Sequence, residues 1–139
     1  MYSATHNSTR SLPHSSKAQL ITGRILSGLA ILMFLMDGIM KIVRPEQMYQ
    51  ASTQLGYPES QYVGIGILLL ACTLLYIIPR TAVFGAIMLT AYLGGAVASQ
   101  VRIESPAFSL AFPVIVAAIM WLGVYLREPR LHNVLPIRS

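Results

Sequence analysis

The sequence predicts an all-α fold, a four-transmembrane-helix bundle with a short interfacial helix between spans one and two. Three observations carry that prediction. Hydrophobic residues make up 55% of the chain and charged residues only 11%, less than half the charged fraction of ordinary soluble domains. The apolar residues gather into four runs, each close to the ~20 residues an α-helix needs to cross the hydrocarbon core. Pro, Gly and Arg punctuate the gaps between those runs, where helices end. At 139 residues the chain is too short for two such domains.

The first span, Ile25 to Val43, is interrupted only by Asp37 and Lys41. At 1.5 Å rise per residue it is about 28 Å long, close to the thickness of the hydrocarbon core. Its ten Leu, Ile, Val and Phe residues favour insertion by about 3–6 kcal/mol, whereas a central Asp or Lys costs about 2.5–3.5 kcal/mol each. The two charges therefore have to be housed. One helical turn apart, they share a face and can pair, and that face belongs inside the bundle. Lys41 is long enough to reach toward the interface, but Asp37 is not. Ahead of this span, residues 1–19 are rich in Ser, Thr and His without an apolar period, which predicts a disordered tail. No small-x-small cleavage site follows the first run, so it reads as a retained helix rather than a signal peptide.

Arg44-Pro45-Glu46 opens the short interfacial helix, and Leu55-Gly56-Tyr57-Pro58 ends it. Pro suits a first helical position and Glu the positive helix end. Met48, Ser52 and Leu55 share a face, and Tyr49 and Tyr57 suit headgroup level. The second span, Tyr62 to Ile78, stops at Pro79-Arg80, and the third begins at once at Thr81 and runs to Arg102. So short a turn forces an antiparallel hairpin. Along the third span, Ala82 and Ala86, then Ala91, Gly95 and Ser99, form a stripe of small residues on which another helix can pack. The fourth span, Ala107 to Leu126, contains Pro113, which predicts a kink with a freed carbonyl. The membrane domain thus covers residues 20–131, and residues 132–139 form a short basic tail.

The net charge of +5 does not indicate nucleic acid binding, because the basic residues sit at the ends of apolar runs, where the lipid bilayer accounts for them. Arg10, Lys17, Arg24, Arg80, Arg127, Arg130 and Arg138 fall on one side, and Lys41, Arg44 and Arg102 on the other. The positive-inside rule then puts both termini in the cytoplasm. The lone Cys72 lies mid-span and excludes an intrachain disulfide. His6, His14 and His132 lie outside the spans, so no metal site is expected.

In this order and spacing, several short motifs are specific: Asp37-Gly38-x-x-Lys41, Leu55-Gly56-Tyr57-Pro58, Ala71-Cys72-Thr73, Ile78-Pro79-Arg80-Thr81, Tyr92-Leu93-Gly94-Gly95-Ala96, Phe112-Pro113-Val114 and Arg127-x-Pro129-Arg130. Through them the chain resembles the DoxX-like family of small four-span membrane proteins, from about Ile21 to Leu131. The resemblance implies a four-helix bundle with both ends cytoplasmic. Better-known members of the family it resembles include a subunit of a thiosulfate:quinone oxidoreductase, a methylamine-utilisation membrane protein, and eukaryotic cargo-receptor and receptor-chaperone branches. A fold spread over such roles fixes no single chemistry. The family pattern also implies a Glu ahead of the Ala-Cys-Thr and a His ahead of the third-span Arg, where this chain has Leu69 and Gln100.

The functional expectation is a membrane subunit that binds an apolar, quinone-like ligand near Asp37, Lys41, Gln100, Arg102 and Tyr92, beneath a wall containing Met33, Met36 and Met40, and that works with a separate redox protein partner. The alternative is a membrane-protein assembly or chaperone-like factor, in which Asp37 and Lys41 serve only as a structural ion pair. No catalytic group stands out in the isolated chain, no cofactor other than a quinone is suggested, and homo-oligomerisation is compatible with the small-residue stripe.

Overall fold

The computed structural model describes residues 16–43 and 46–134. Its elements are α1 (Lys17–Val43), α2 (Glu46–Leu55), α3 (Glu59–Ile77), α4 (Ala82–Arg102), α5 (Ala107–Arg127) and α6 (Leu131–Val134). Helices α1, α3, α4 and α5 are long and apolar enough to span a membrane, and only 28–33% of each is buried inside the protein. Large apolar side chains such as Ile25, Leu32, Phe84 and Leu122 are left exposed on the bundle, a surface that lipid covers.

Helix α1 starts about two turns before the apolar run, at Lys17. The cause is a capping box. Ser16 Oγ accepts from the Gln19 N–H at 3.3 Å, and Gln19 Oε1 accepts from the Ser16 N–H at 3.2 Å, so two orphan donors of the first turn are satisfied reciprocally. Of the tail expected over 1–19, residues 1–15 lie outside the described residues, and Lys17 to Gln19 are helical. The short helix expected between the first two spans is α2. Arg44, Pro45 and the side chains of Met48, Tyr49 and Ser52 lie outside the described residues. Of the expected C-terminal tail, residues 135–139 also lie outside them, while His132 packs its ring 4.2 Å from that of Tyr125.

The spans run up, down, up and down. Helix α1 packs against α3 and α5, and α4 against the same two helices, so the spans close into a four-sided ring with α1 and α4 on one diagonal. At the end where α1 begins and α5 finishes, backbones touch. A Cβ on Gly123 would lie 2.9 Å from Ser27 N, one on Gly23 would lie 3.0 Å from Arg127 N, and one on Gly85 would lie 2.7 Å from Tyr76 Cα. Only glycine permits α1–α5 and α3–α4 contacts this close.

Tyr76 fastens this closed end across the other diagonal. Fully buried on α3, its hydroxyl lies 3.1 Å from Ser27 Oγ on α1 and 3.0 Å from the Met120 carbonyl on α5. Arg127 completes the cluster, donating to the Tyr76 carbonyl at 2.9 Å with its guanidinium 4.9 Å from the Tyr76 ring. That carbonyl is in the last turn of α3 and has no partner within its own helix, so the cation that the sequence places at the bilayer edge caps the span diagonally opposite.

The opposite end is looser. Helices α1 and α3 stay together through Gly38, which meets Leu70, and Gly66, which meets the Lys41 stem. Helices α4 and α5 are held by a short turn in which Ser105 N–H bonds to the Gln100 carbonyl and Glu104 N–H to that of Val101, with Glu104 left-handed at φ 52°, a Schellman closure. Between these two pairs the bundle opens. The small-residue stripe divides accordingly: Ala82 and Ala86 are buried against neighbours, whereas Ala91 and Gly95 are exposed and a Cβ on Gly95 would meet nothing within 4 Å. The outer half of the stripe makes room instead of packing another span. Helix α5 continues through the buried Pro113 to Arg127.

The closed end sets a steric test. Gly123→Ala should lower stability in detergent by about 1–3 kcal/mol, read as a fall in melting temperature. Gly94→Ala, which meets open space and gains helix propensity, should leave melting unchanged or raise it; equal behaviour of the two would contradict the packing described.

Candidate functional site

A cavity of about 750 Å³ fills the open end, lined by all four spans and by the α2–α3 connection. Its size falls among sites that hold a drug-sized molecule. Most of the wall is apolar, with Met33, Phe34, Met36 and Met40 from α1, Ile65 and Leu68 from α3, Leu93 from α4, and Phe112 and Val116 from α5. Asp37, Lys41, Tyr57, Tyr62, Tyr92, Ser99 and Gln100 supply the polar groups.

The ion pair lies at the centre of this polar set. Lys41 Nζ pairs with Asp37 Oδ1, the only salt bridge among the described residues. The lysine side chain is 11% exposed and the carboxylate 39%, so the cation is sunk into the protein while the anion faces the cavity. Gly66 makes the burial of Lys41 feasible, since a Cβ there would lie 2.9 Å from Lys41 Cβ. The ammonium also sits 5.8 Å from the Tyr62 ring centroid, within reach of a cation–π attraction. The second carboxylate oxygen, Oδ2, accepts the Tyr92 hydroxyl at 3.2 Å. This bond joins α1 to α4 across the ring's diagonal and spans the gap between the two helix pairs.

Above it, the α2–α3 connection is tied to α4 twice. Ser99 donates its one proton to the Gly95 carbonyl at 2.9 Å, so Tyr57 is the donor in its 2.7 Å bond to Ser99 Oγ. Arg102 donates to the Leu55 carbonyl at 2.7 Å, capping the end of α2 beside Gly56, whose φ of +74° turns the chain.

Of the five residues singled out by sequence, Asp37, Lys41, Tyr92 and Gln100 border the cavity. Arg102 is outside the lining and is spent on α2. Tyr57 and Tyr62 were not singled out for the site. Tyr57 reads from sequence as a headgroup-level ring and Tyr62 only as the start of the second span, because their partners are 42 and 21 residues away in the chain. Gln100 Oε1 accepts from Ser105 Oγ at 2.6 Å, which leaves its amide NH2 as a donor. Leu69 is fully buried in the core and outside the lining. Among the described residues no group of three or more His, Cys, Asp or Glu could hold a metal ion.

What the arrangement offers a ligand is an apolar chamber with one carboxylate, one ammonium, phenol groups and an amide at its centre. If the pair is held as described, Asp37→Asn should lower stability by about 2–3 kcal/mol by leaving Lys41 unneutralised, and Lys41→Met in the same chain should recover most of the loss. Tyr92→Phe should cost about 1 kcal/mol. Melting of the purified variants measures all three, and additive losses in the double variant would contradict the pairing.

A family model described as the DoxX-like family matches residues 25–123. No curated protein and no solved structure matches the chain. The matched segment begins in the first turns of α1, takes in the whole cavity lining and ends at Gly123 in the closed-end contact. With more than two-thirds of its length matched, this four-span chain belongs to the DoxX-like family.

Proposed function

We infer that this protein is a binding subunit for an apolar, quinone-like small molecule, working beside a separate oxidoreductase in the same membrane. The observation that carries the reading is the cavity of about 750 Å³ whose apolar walls surround Asp37, Lys41, Tyr92 and Gln100. A quinone needs hydrogen-bond donors at its ring carbonyls and apolar contact elsewhere. Lys41 keeps donors beyond the one given to Asp37, and the Gln100 amide keeps its NH2. Asp37 holds the Lys41 side chain in place, and the Tyr92 bridge fixes the carboxylate. Met33 and Met40 supply adaptable apolar wall. Electron transfer requires a redox-active partner. In our reading both termini face the cytoplasm, so the cavity lies in the outer half of the bilayer.

The protein purified in mild detergent from native membranes should carry a stoichiometric apolar ring compound, seen by mass spectrometry and absorption, and Asp37→Asn/Lys41→Met should stay folded but lose it. Phospholipid alone would overturn the quinone reading, and an empty bundle carrying a second membrane protein would support an assembly role instead. Orientation is checked separately: a cysteine replacing Ser105 should react with impermeant reagent from outside the cell, and labelling from the cytoplasmic side alone would reverse it.

A further inference from the structure

The cavity is a cleft between helix pairs, and its two side walls differ. On the α3/α4 side, Leu68 lines the cavity and is 56% exposed, but the mouth is stapled by the Tyr57–Ser99 bond and by Arg102 to Leu55. On the α1/α5 side, Met36 is 62% exposed and Phe112 46% exposed, and both also line the cavity. The cavity wall is there the lipid-facing surface as well. Among the described residues no hydrogen bond crosses from α1 to α5 at this end, and the closest glycine contacts between these two helices, Gly23 and Ser27 with Gly123, Leu126 and Arg127, lie at the other end.

Helix geometry gives this seam a consistent lining. Gly38 faces α3, and Met33, Met36 and Met40 lie on the opposite flank of α1, at spacings of three and four. Unbranched methionines open and close a gap at little cost because they repack among many rotamers. Phe112 faces them from α5, with the Phe108 ring 6.4 Å away at the outer end of that helix.

The geometry points to a tailed ligand: the site takes a membrane-dissolved amphiphile whose polar ring sits at Asp37, Lys41 and Tyr92 and whose hydrocarbon tail leaves between α1 and α5, past Met36 and Phe112, into the bilayer. This rests on the quinone-binding reading above and adds to it the class of ligand and its route. A water-borne molecule would need the mouth that the α2–α3 connection is tied across. A lipid-borne one needs only a side opening, and its tail stays in an apolar medium throughout, so that no hydrophobic cost attaches to a tail passing through the seam.

The test uses the full chain in nanodiscs of fixed lipid composition, titrated by thermal shift with decylubiquinone, which has a tail, and duroquinone, which has none. Met36→Trp and Phe112→Trp each narrow the seam from one side, and Leu68→Trp narrows the opposite one. In both seam variants the affinity for decylubiquinone should fall about tenfold relative to that for duroquinone, whereas Leu68→Trp should leave the ratio of the two affinities as it is in the unaltered protein. Unchanged decylubiquinone binding in both seam variants, equal losses for the two quinones, or a loss confined to Leu68→Trp would each overturn the lateral route, leaving the quinone site intact. No binding of either quinone to the unaltered protein would overturn the underlying reading, and the route with it.

Discussion

The Asp37–Lys41 pair is the interaction to which the open half of this bundle answers. Two opposite charges in one apolar span are tolerated only if they face protein and each other. Lys41 is accommodated by the absence of a side chain at Gly66 and by the Tyr62 ring, and Asp37 by the Tyr92 hydroxyl on the far side of the ring of helices. Satisfying Asp37 from α4 across a diagonal keeps the pairs α1/α3 and α4/α5 linked yet apart. The cavity is the space that this arrangement leaves.

The two ends of the bundle solve opposite problems. At the closed end, glycines bring backbones together, and Tyr76, Ser27 and Arg127 satisfy one another or a carbonyl. Buried polar groups there are paired, which makes them scaffold. At the open end the groups are bonded too, but around a cavity, and two of them, Lys41 and Gln100, keep further donors. The same fold therefore holds a rigid base and an open cleft without any loop insertion.

The spans were legible in the sequence because lipid imposes one simple demand, a long apolar run, and the proline, glycine and arginine punctuation ends each run cleanly. The pairing of Asp37 with Lys41 was legible because it is local, one turn apart. Long-range partners were not. Nothing in the spacing of Tyr57, Tyr92 or Arg102 tells which helix each meets, and Arg102 was grouped with the cavity although it caps α2. Along the small-residue stripe, close packing within the bundle at Ala82 and Ala86 gives way to open space at Gly95, and composition cannot separate the two. The early start of α1 was written in Ser16 and Gln19, a cap signal masked by the polar tract around it.

Photolabelling in membranes with an azido-quinone, followed by peptide mapping, tests whether the cleft between the helix pairs holds a ligand. Label is expected on the Met33–Lys41 and Tyr92–Gln100 segments, removed by excess decylubiquinone. Label confined to lipid-facing positions such as Ile67, Phe84 and Leu122, or unaffected by competitor, would contradict it.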